Sequence, residues 1–293
     1  MTRVVCLGDL MMDVLARLPG PLAIGSDTPA PVGIYGGGSP ANTAAWLVRA
    51  GLPTTVVGRV GDDALGRRAL DELSAAGVDL AVSVDPDRPT GTCIVLVDVD
   101  GERTMVPSAG ANAGLGQVAL PRGLFDAQAL LHLSGYALFT AGSRPAALDA
   151  LAQARTAGCP ISVDTASAAP LAGVGLEVFL SWIGRSLLFA NRDEAEVLTG
   201  SADASAAALT LSRRCGEAIV KCGGDAAVWS DGADVIEVPA AEAVAIDSTG
   251  AGDAFAAGVL AARANGADVR TALGAGHALA ACAIAQVGGR PPA

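Results

Sequence analysis

Aromatic residues are scarce in this chain. Five phenylalanines, three tryptophans and two tyrosines make up 3% of its 293 residues. A pocket that grips a flat ligand by stacking rings on it has few places to form. Positive charge is short as well. Nineteen lysines and arginines face thirty aspartates and glutamates, for a formal net charge of −11. Nucleic-acid binding needs a basic footprint, and this balance argues against it. It leaves small ligands open, because the local field of a site can oppose the net charge. Histidine occurs twice, at His132 and His277, and no two of the six cysteines form a CxxC pair. A zinc site is thereby disfavoured. Cys6, Cys93, Cys159, Cys215, Cys222 and Cys282 read as buried, reduced thiols of a cytoplasmic protein. No run reaches about 18 apolar residues free of charge, so no membrane span is expected. The opening "MTRVVCLGDL" has one basic residue and a short apolar run ended by Gly8-Asp9, a first buried strand rather than a signal peptide. No GxGxxG follows that strand, which removes the glycine signature of a nicotinamide-dinucleotide site.

What is present is a chain of 51% hydrophobic and 17% charged residues, a composition that argues for a packed fold. Short apolar or β-branched runs alternate with longer helical patterns. Strands are expected at Val4 to Leu7, Thr55 to Gly58, Leu130 to Leu133, Ile161 to Asp164, Leu187 to Ala190 and Ala218 to Lys221. Helices are expected at Ser39 to Arg49, Asp63 to Ala76, Pro145 to Ala157, Arg192 to Thr199, Ala204 to Arg214, Ala251 to Ala264 and Val269 to Gln286. This alternation predicts βαβ units, hence an α/β fold with a mainly parallel sheet covered on both faces. Two regions break the rhythm. Asp13 to Tyr35 is rich in proline, and Thr92 to Val106 reads as a hairpin turning at Asp100-Gly101. Together they are expected to form a small sheet projecting over a ligand site.

Five stretches have the residue types that chemistry needs, and each has a plainer structural reading beside the functional one. In "DSTGAGDAFAAG", Asp247 to Gly258, the small residues Gly250, Ala251 and Gly252 open a helix. Amides at a helix start have no intrahelical acceptor, and with the helix dipole they form an anion site. Asp253 beside them can take a proton from a substrate hydroxyl; the plainer reading is an N-cap aspartate after a glycine turn. In "GGGSPANTA", Gly37 and Gly38 let backbone approach a polyol whose hydroxyls Asn42 can both donate to and accept from. The alternative is a turn capped by Ser39 with Pro40 at the first helical position. In "NRDE", Asn191 and Glu194 follow a strand and can hold a hydrated Mg²⁺. They equally fit a capping box, and the two readings are compatible. In "VKCGGDAA", Lys221 and Gly223 can meet nucleotide phosphates or form a hairpin turn. Asp9 and Asp13 end the first strand, where carboxylates can grip sugar hydroxyls or sit in a solvated loop. His132 reads as a core histidine; His277 is a candidate wall of an adenine pocket.

In this order, the pieces resemble the ribokinase (PfkB-type) family of sugar and nucleoside kinases, and the resemblance covers essentially the whole chain. "LGDLMMD" resembles the family's first strand and substrate aspartates, "GGGSPANTA" its N-terminal signature and "ANRDEAEVLTG" its Asn-x-x-Glu motif. "DSTGAGDAFAAG" resembles its C-terminal signature and is the most specific of the set. The resemblance implies a ribokinase-like three-layer sandwich, residues 1–293 as a single kinase domain, with lid segments inserted at about 13–35 and 92–107. It implies a kinase that moves the γ-phosphoryl of ATP to a primary alcohol. Asp253 would be the base and Gly250, Ala251 and Gly252 the anion hole. Asn191 and Glu194 would organise Mg²⁺ through water, while Lys221, Gly223 and His277 would border ATP. Asp9, Asp13, Gly37, Gly38 and Asn42 would hold the substrate. Asp247 and Thr249, with carbonyls near Ala283 to Gly289, would be the candidates for a monovalent cation, K⁺ in relatives. A homodimer through the lid and a monomer are both open.

Departures bear on the acceptor. Ser39-Pro40 stands where ribokinases proper have Lys-Gly, and Ser134 stands where they have Glu. Arg103 remains from the lid pattern of ketodeoxygluconate kinases. The shortage of aromatics favours a free sugar over a nucleoside, which stays the alternative. A non-catalytic sugar- or nucleotide-binding regulator on the same fold is the reading from another class.

Overall fold

The structure is a computed structural model that describes residues 2–99, 101 and 103–292. The chain runs β1 (Arg3–Leu7), β2 (Met11–Arg17), β3 (Val32–Gly37), α1 (Ser39–Arg49), β4 (Thr54–Gly61), α2 (Ala64–Ala75), β5 (Asp79–Asp85), β6 (Gly91–Val97) and β7 (Arg103–Ser108). A 3-10 segment, Gly110–Gln117, leads to β8 (Ala129–Ser134), α3 (Tyr136–Phe139), α4 (Arg144–Thr156), β9 (Ile161–Asp164), α5 (Ala168–Val174) and α6 (Leu176–Ile183). The chain ends with β10 (Ser186–Asn191), α7 (Arg192–Thr199), α8 (Ala204–Cys215), β11 (Gly216–Lys221), β12 (Ala226–Ser230), β13 (Val235–Pro239), α9 (Ala251–Ala264) and α10 (Val269–Ile284).

Nine strands form the main sheet in the order β13-β12-β11-β10-β9-β8-β1-β4-β5. From β11 to β5 every neighbour is parallel, and β12 and β13 add an antiparallel edge. The central strands are apolar on both faces, as a sheet covered twice requires. One face packs Leu131, Val163 and Leu188 against α4 to α8. The other packs Cys6, Phe189 and Ile219 against α1, α2, α9 and α10. The result is the expected three-layer α/β arrangement. Trp46 on α1 is the largest fully buried side chain, and its indole N–H donates to Gly289 O at 2.9 Å.

The two irregular regions supply a second sheet, β3-β2-β6-β7, which is the expected small β-lid. Its strands run slightly past the expected segments. β2 pairs β6 in parallel and the other pairs are antiparallel. Asp100 of the expected hairpin turn lies outside the described residues. A hydrogen-bonded clamp holds the lid's root. Asn112 accepts from Leu10 N at 3.0 Å and donates to Leu10 O at 2.9 Å, so its amide replaces a missing strand partner at the junction of β1 and β2.

Five cysteines are buried, but Cys282 is exposed. It sits on the solvent side of α10, whose buried side is marked by Ala272, Leu273, Gly276 and Ala283. Among the described residues no helix is long and apolar enough to cross a membrane.

Trp46→Ala removes the largest core side chain and an indole hydrogen bond. The expected loss is about 3–5 kcal/mol of unfolding free energy, read from the midpoint of urea denaturation.

Candidate active site

The carboxyl ends of the parallel strands define one edge of the sheet, where ligands bind in open α/β folds. Asp9 follows β1, Ser134 ends β8, Asp164 ends β9, Asn191 ends β10 and Lys221 ends β11. Over that edge stand the first turns of α1 and α9.

The turn into α9 depends on glycine. Gly250 is the N-cap with φ 73°, and a Cβ on it would stand 2.5 Å from Gly289 O. No side chain caps this helix. Asp253 is therefore not a cap, which was its plainer reading; it occupies the third helical position. Ala251 N donates to Ser248 O at 3.3 Å, while helical geometry leaves the amides of Gly252 and Asp253 without intrahelical acceptors. The Asp253 carboxylate turns away from its own helix toward α1. Oδ1 accepts from the Ser39 hydroxyl at 2.7 Å and Oδ2 from Asn42 Nδ2 at 2.9 Å. Burial pushes its pKa up to about 6, against the pull of these two donors.

Lys221 is the chain's one lysine. Its ammonium lies 2.6 Å from Asp164 Oδ2 and 3.2 Å from where a Cβ on Gly252 would stand. Burial alone would lower its pKa, but Asp164 and Glu194 outweigh that and hold it up. A permanent cation thus faces the free amides of α9. Asp164 belongs to the site and escaped the sequence reading. The rule that picked Asp9 and Asp13, a carboxylate at a strand's carboxyl end, would have found it. Its second oxygen accepts from Ala166 N at 2.9 Å, and Ala166 has φ 71°, a left-handed backbone that only strained or functional loops keep in a non-glycine residue.

Asn191 and Glu194 form a complete capping box on α7. Glu194 Oε2 accepts from Asn191 N at 2.8 Å and from the Thr165 hydroxyl, and Oε1 accepts from Asn191 Nδ2 at 2.9 Å. Burial and the nearby Asp164 raise the Glu194 pKa. Two buried carboxylates beside one ammonium form a donor set that suits a hydrated Mg²⁺.

On the lid side, a Cβ on Gly38, φ 90°, would stand 2.1 Å from Asp9 O. One on Gly37 would strike the Asp13 carboxylate at 2.4 Å. Both glycines therefore permit the close approach of β3 to these acids. Burial raises Asp9 and Asp13 to about 6 each, with Arg290 and Arg103 opposing the rise at Asp13. Arg290, unforeseen from sequence, donates to Gly37 O at 2.9 Å and pairs with Glu72. Asn42 Oδ1 is buried and has no hydrogen-bond partner among the described residues, an acceptor open to a ligand hydroxyl. The Ser134 hydroxyl is likewise buried and unpartnered.

Other candidates are less well placed. Asp247 Oδ1 accepts from Thr249 N at 2.9 Å and from its hydroxyl at 2.6 Å, and Oδ2 accepts from Gly288 N at 2.9 Å. Arg103 of the lid donates to Thr249 Oγ1 at 3.1 Å. The pair braces the turn into α9 and ties it to the lid. Gly223 lies in the exposed turn between β11 and β12 with φ 63°. His277 packs edge-on to Phe255 at 5.2 Å and meets Val238 O at 3.1 Å, so the ring is part of the packing between α10, α9 and β13. His132 is a buried core histidine with one nitrogen on Ser162 Oγ at 2.8 Å and the other unpartnered; burial lowers it to about 4.

A carboxyl held above its ordinary pKa favours the fold while protonated. That contribution is present below about 4 and is lost as pH rises through about 6. Asp253→Asn should therefore raise the thermal midpoint at pH 8, and the gain should shrink toward pH 4, as calorimetry at both values would read.

Comparison with known proteins follows the same lines. Over residues 1–293 the sequence matches the profile of the pfkB family carbohydrate kinases. It is 32% identical over 238 residues to a fructokinase of Klebsiella pneumoniae, covering 77% of this chain and 76% of that one. The structure resembles a probable sugar kinase from Rhizobium etli with TM-score 0.89 and 26% identity, over 100% of this chain and 96% of the other. It also resembles the adenosine kinase from Sinorhizobium meliloti with TM-score 0.86 and 25% identity, again over 100% and 96%.

Proposed function

Because the chain belongs to the pfkB family of carbohydrate kinases, phosphotransferases that act on sugar hydroxyl groups, we propose that it moves the γ-phosphoryl of ATP to a hydroxymethyl group of a small sugar. Residues 1–293 act as one kinase domain under its lid. One observation supports the reading most: the half-buried Asp253 carboxylate stands at the same helix start as the free amides and Lys221. Base and anion site lie side by side.

Asp253 accepts the proton of the acceptor hydroxyl as its oxygen attacks. The amides of Gly252 and Asp253 and the Lys221 ammonium face the charge that spreads over the phosphoryl oxygens. Asn191 and Glu194, with Asp164, fit as outer ligands of Mg²⁺, which would supply charge neutralisation to the nucleotide phosphates. Asp9, Asp13 and the free Oδ1 of Asn42 accept from sugar hydroxyls. Six free thiols agree with a reducing cytoplasmic setting. A nucleoside acceptor is the second reading, supported by the likeness to the adenosine kinase fold.

A coupled ADP-release assay with ATP, Mg²⁺ and a panel of pentoses, hexoses and nucleosides tests this. Wild-type kcat/KM should climb through about pH 6 and level off above it, as Asp253 ionises. Asp253→Asn should lose about 10²–10⁴ in kcat; wild-type turnover in that variant would remove Asp253 as the base. Ligand binding with no product on any acceptor would favour the regulator.

The outer face of the lid supports a homodimer. Ile34, Val14, Ile94 and Val106 lie opposite one another across the four strands, and Ile34, Ile94 and Val106 are exposed. A contiguous apolar row on a sheet face is a surface for a second copy. Light scattering should give twice the chain mass for the wild type and a monomer for Ile94→Glu; a wild-type monomer at micromolar concentration would refute the dimer.

A further inference from the structure

Ser39 opens α1, and a serine hydroxyl at a helix start ordinarily caps it. Here it does not. The N-cap is Gly38, and no side chain caps the helix. The hydroxyl instead crosses to α9 and donates to Asp253 Oδ1 at 2.7 Å. Asn42, three residues on and on the same side of α1, donates to Oδ2 at 2.9 Å. Each carboxylate oxygen has one fixed donor and keeps a lone pair.

We propose that Ser39 is a positioning residue of the phosphoryl-transfer site. With Asn42 it locks the Asp253 carboxylate in one orientation and in its ionised form, leaving a lone pair for the acceptor hydroxyl. The proposal rests on the reading of Asp253 as the base. Its physical ground is that a buried carboxylate tends to take up a proton, and donors to the charged form oppose this. The other groups that act on Asp253 are few. Asp164 on β9 repels its charge and Lys221 on β11 attracts it. Cys6 on β1 and Tyr136 on α3 feel that charge as neutral neighbours. The hydroxyl of Ser39 and the amide of Asn42 are the direct hydrogen bonds that oppose protonation. The amide has a second task at its free Oδ1, while the hydroxyl serves the base.

The test uses Ser39→Ala and, as the variant that keeps the hydroxyl, Ser39→Thr. The Asp253 resonance is followed by NMR on protein labelled with ¹³C at the aspartate carboxyls, assigned with Asp253→Asn and titrated without substrate. In Ser39→Ala it should titrate about one pH unit above wild type. With ATP and fructose, ribose or adenosine, whichever the wild type turns over, kcat should fall about tenfold at pH 5 and about twofold at pH 7. KM for the acceptor should change less than twofold, and the loss should shrink as pH rises. Ser39→Thr should restore both titration and rate. An unshifted Asp253 titration in Ser39→Ala overturns the proposal while leaving the kinase reading intact. A loss equal at every pH, with KM rising in step, also overturns it, as a packing effect. A wild type inactive on all three acceptors removes the kinase reading first, and this proposal with it.

Discussion

The Asp253 carboxylate is gripped between the first turns of two helices that lie 214 residues apart at Ser39 and Asp253. Much of the site depends on that grip. It requires α1 and α9 to start side by side, and they do so because both pack on one face of the sheet, over Cys6, Phe189 and Ile219. It also requires bare backbone where the turns meet. Gly38 comes against Asp9 O and Gly250 against Gly289 O, at distances that no side chain allows. Trp46 fastens the same carbonyl from below. The glycine turns, the buried indole and the carboxylate are thus parts of one junction.

The site concentrates charge in a way that works against stability. Asp9, Asp13 and Asp253 are all raised to about 6 by burial. Glu194 is raised as well, with Asp164 beside it. The counter-charges are few and specific: Lys221 toward the anion site, Arg103 and Arg290 toward the lid. A chain of net charge −11 places its one lysine there. A compact ammonium suits a transferring phosphoryl, which a planar guanidinium would meet differently. Acids under the lid and a cation with free amides at the start of α9 divide the edge of the sheet into two halves, with Asp253 at their border.

Several residues that hold the structure together also border the candidate site. The capping box of α7 is complete, and its Glu194 still faces Asp164 and Lys221 across the site. The turn after β11 is a hairpin, and the lysine that precedes it points into the anion site. Asp247 and Thr249 have a structural part of their own. Their hydrogen bonds to each other, to Gly288 and to Arg103 make them a brace for the α9 turn and a contact for the lid.

Local pattern determined most of the elements. α1, α7 and α9 span the expected residues, with proline in the first turn of α1, a capping box on α7 and glycine before α9, and the parallel β-strands follow from apolar runs between helical stretches. β5, β13, α5 and α6 were not legible. β5 and β13 are edge strands that bury few side chains, and α5 and α6 are short helices separated by Gly175, so none stands out as an apolar run long enough to read. The glycine-rich helix start and the presence of Asp253 in it are local facts, and by themselves they leave a capped turn and an anion site both open. What Asp253 does with its carboxylate is not local. Only the packing of α1 on α9 turns it from its own helix to Ser39 and Asn42, and only the parallel register of β9 and β11 around β10 brings Asp164 to Lys221. Hydrogen bonds across such separations depend on how the layers stack, and no short stretch of sequence encodes that.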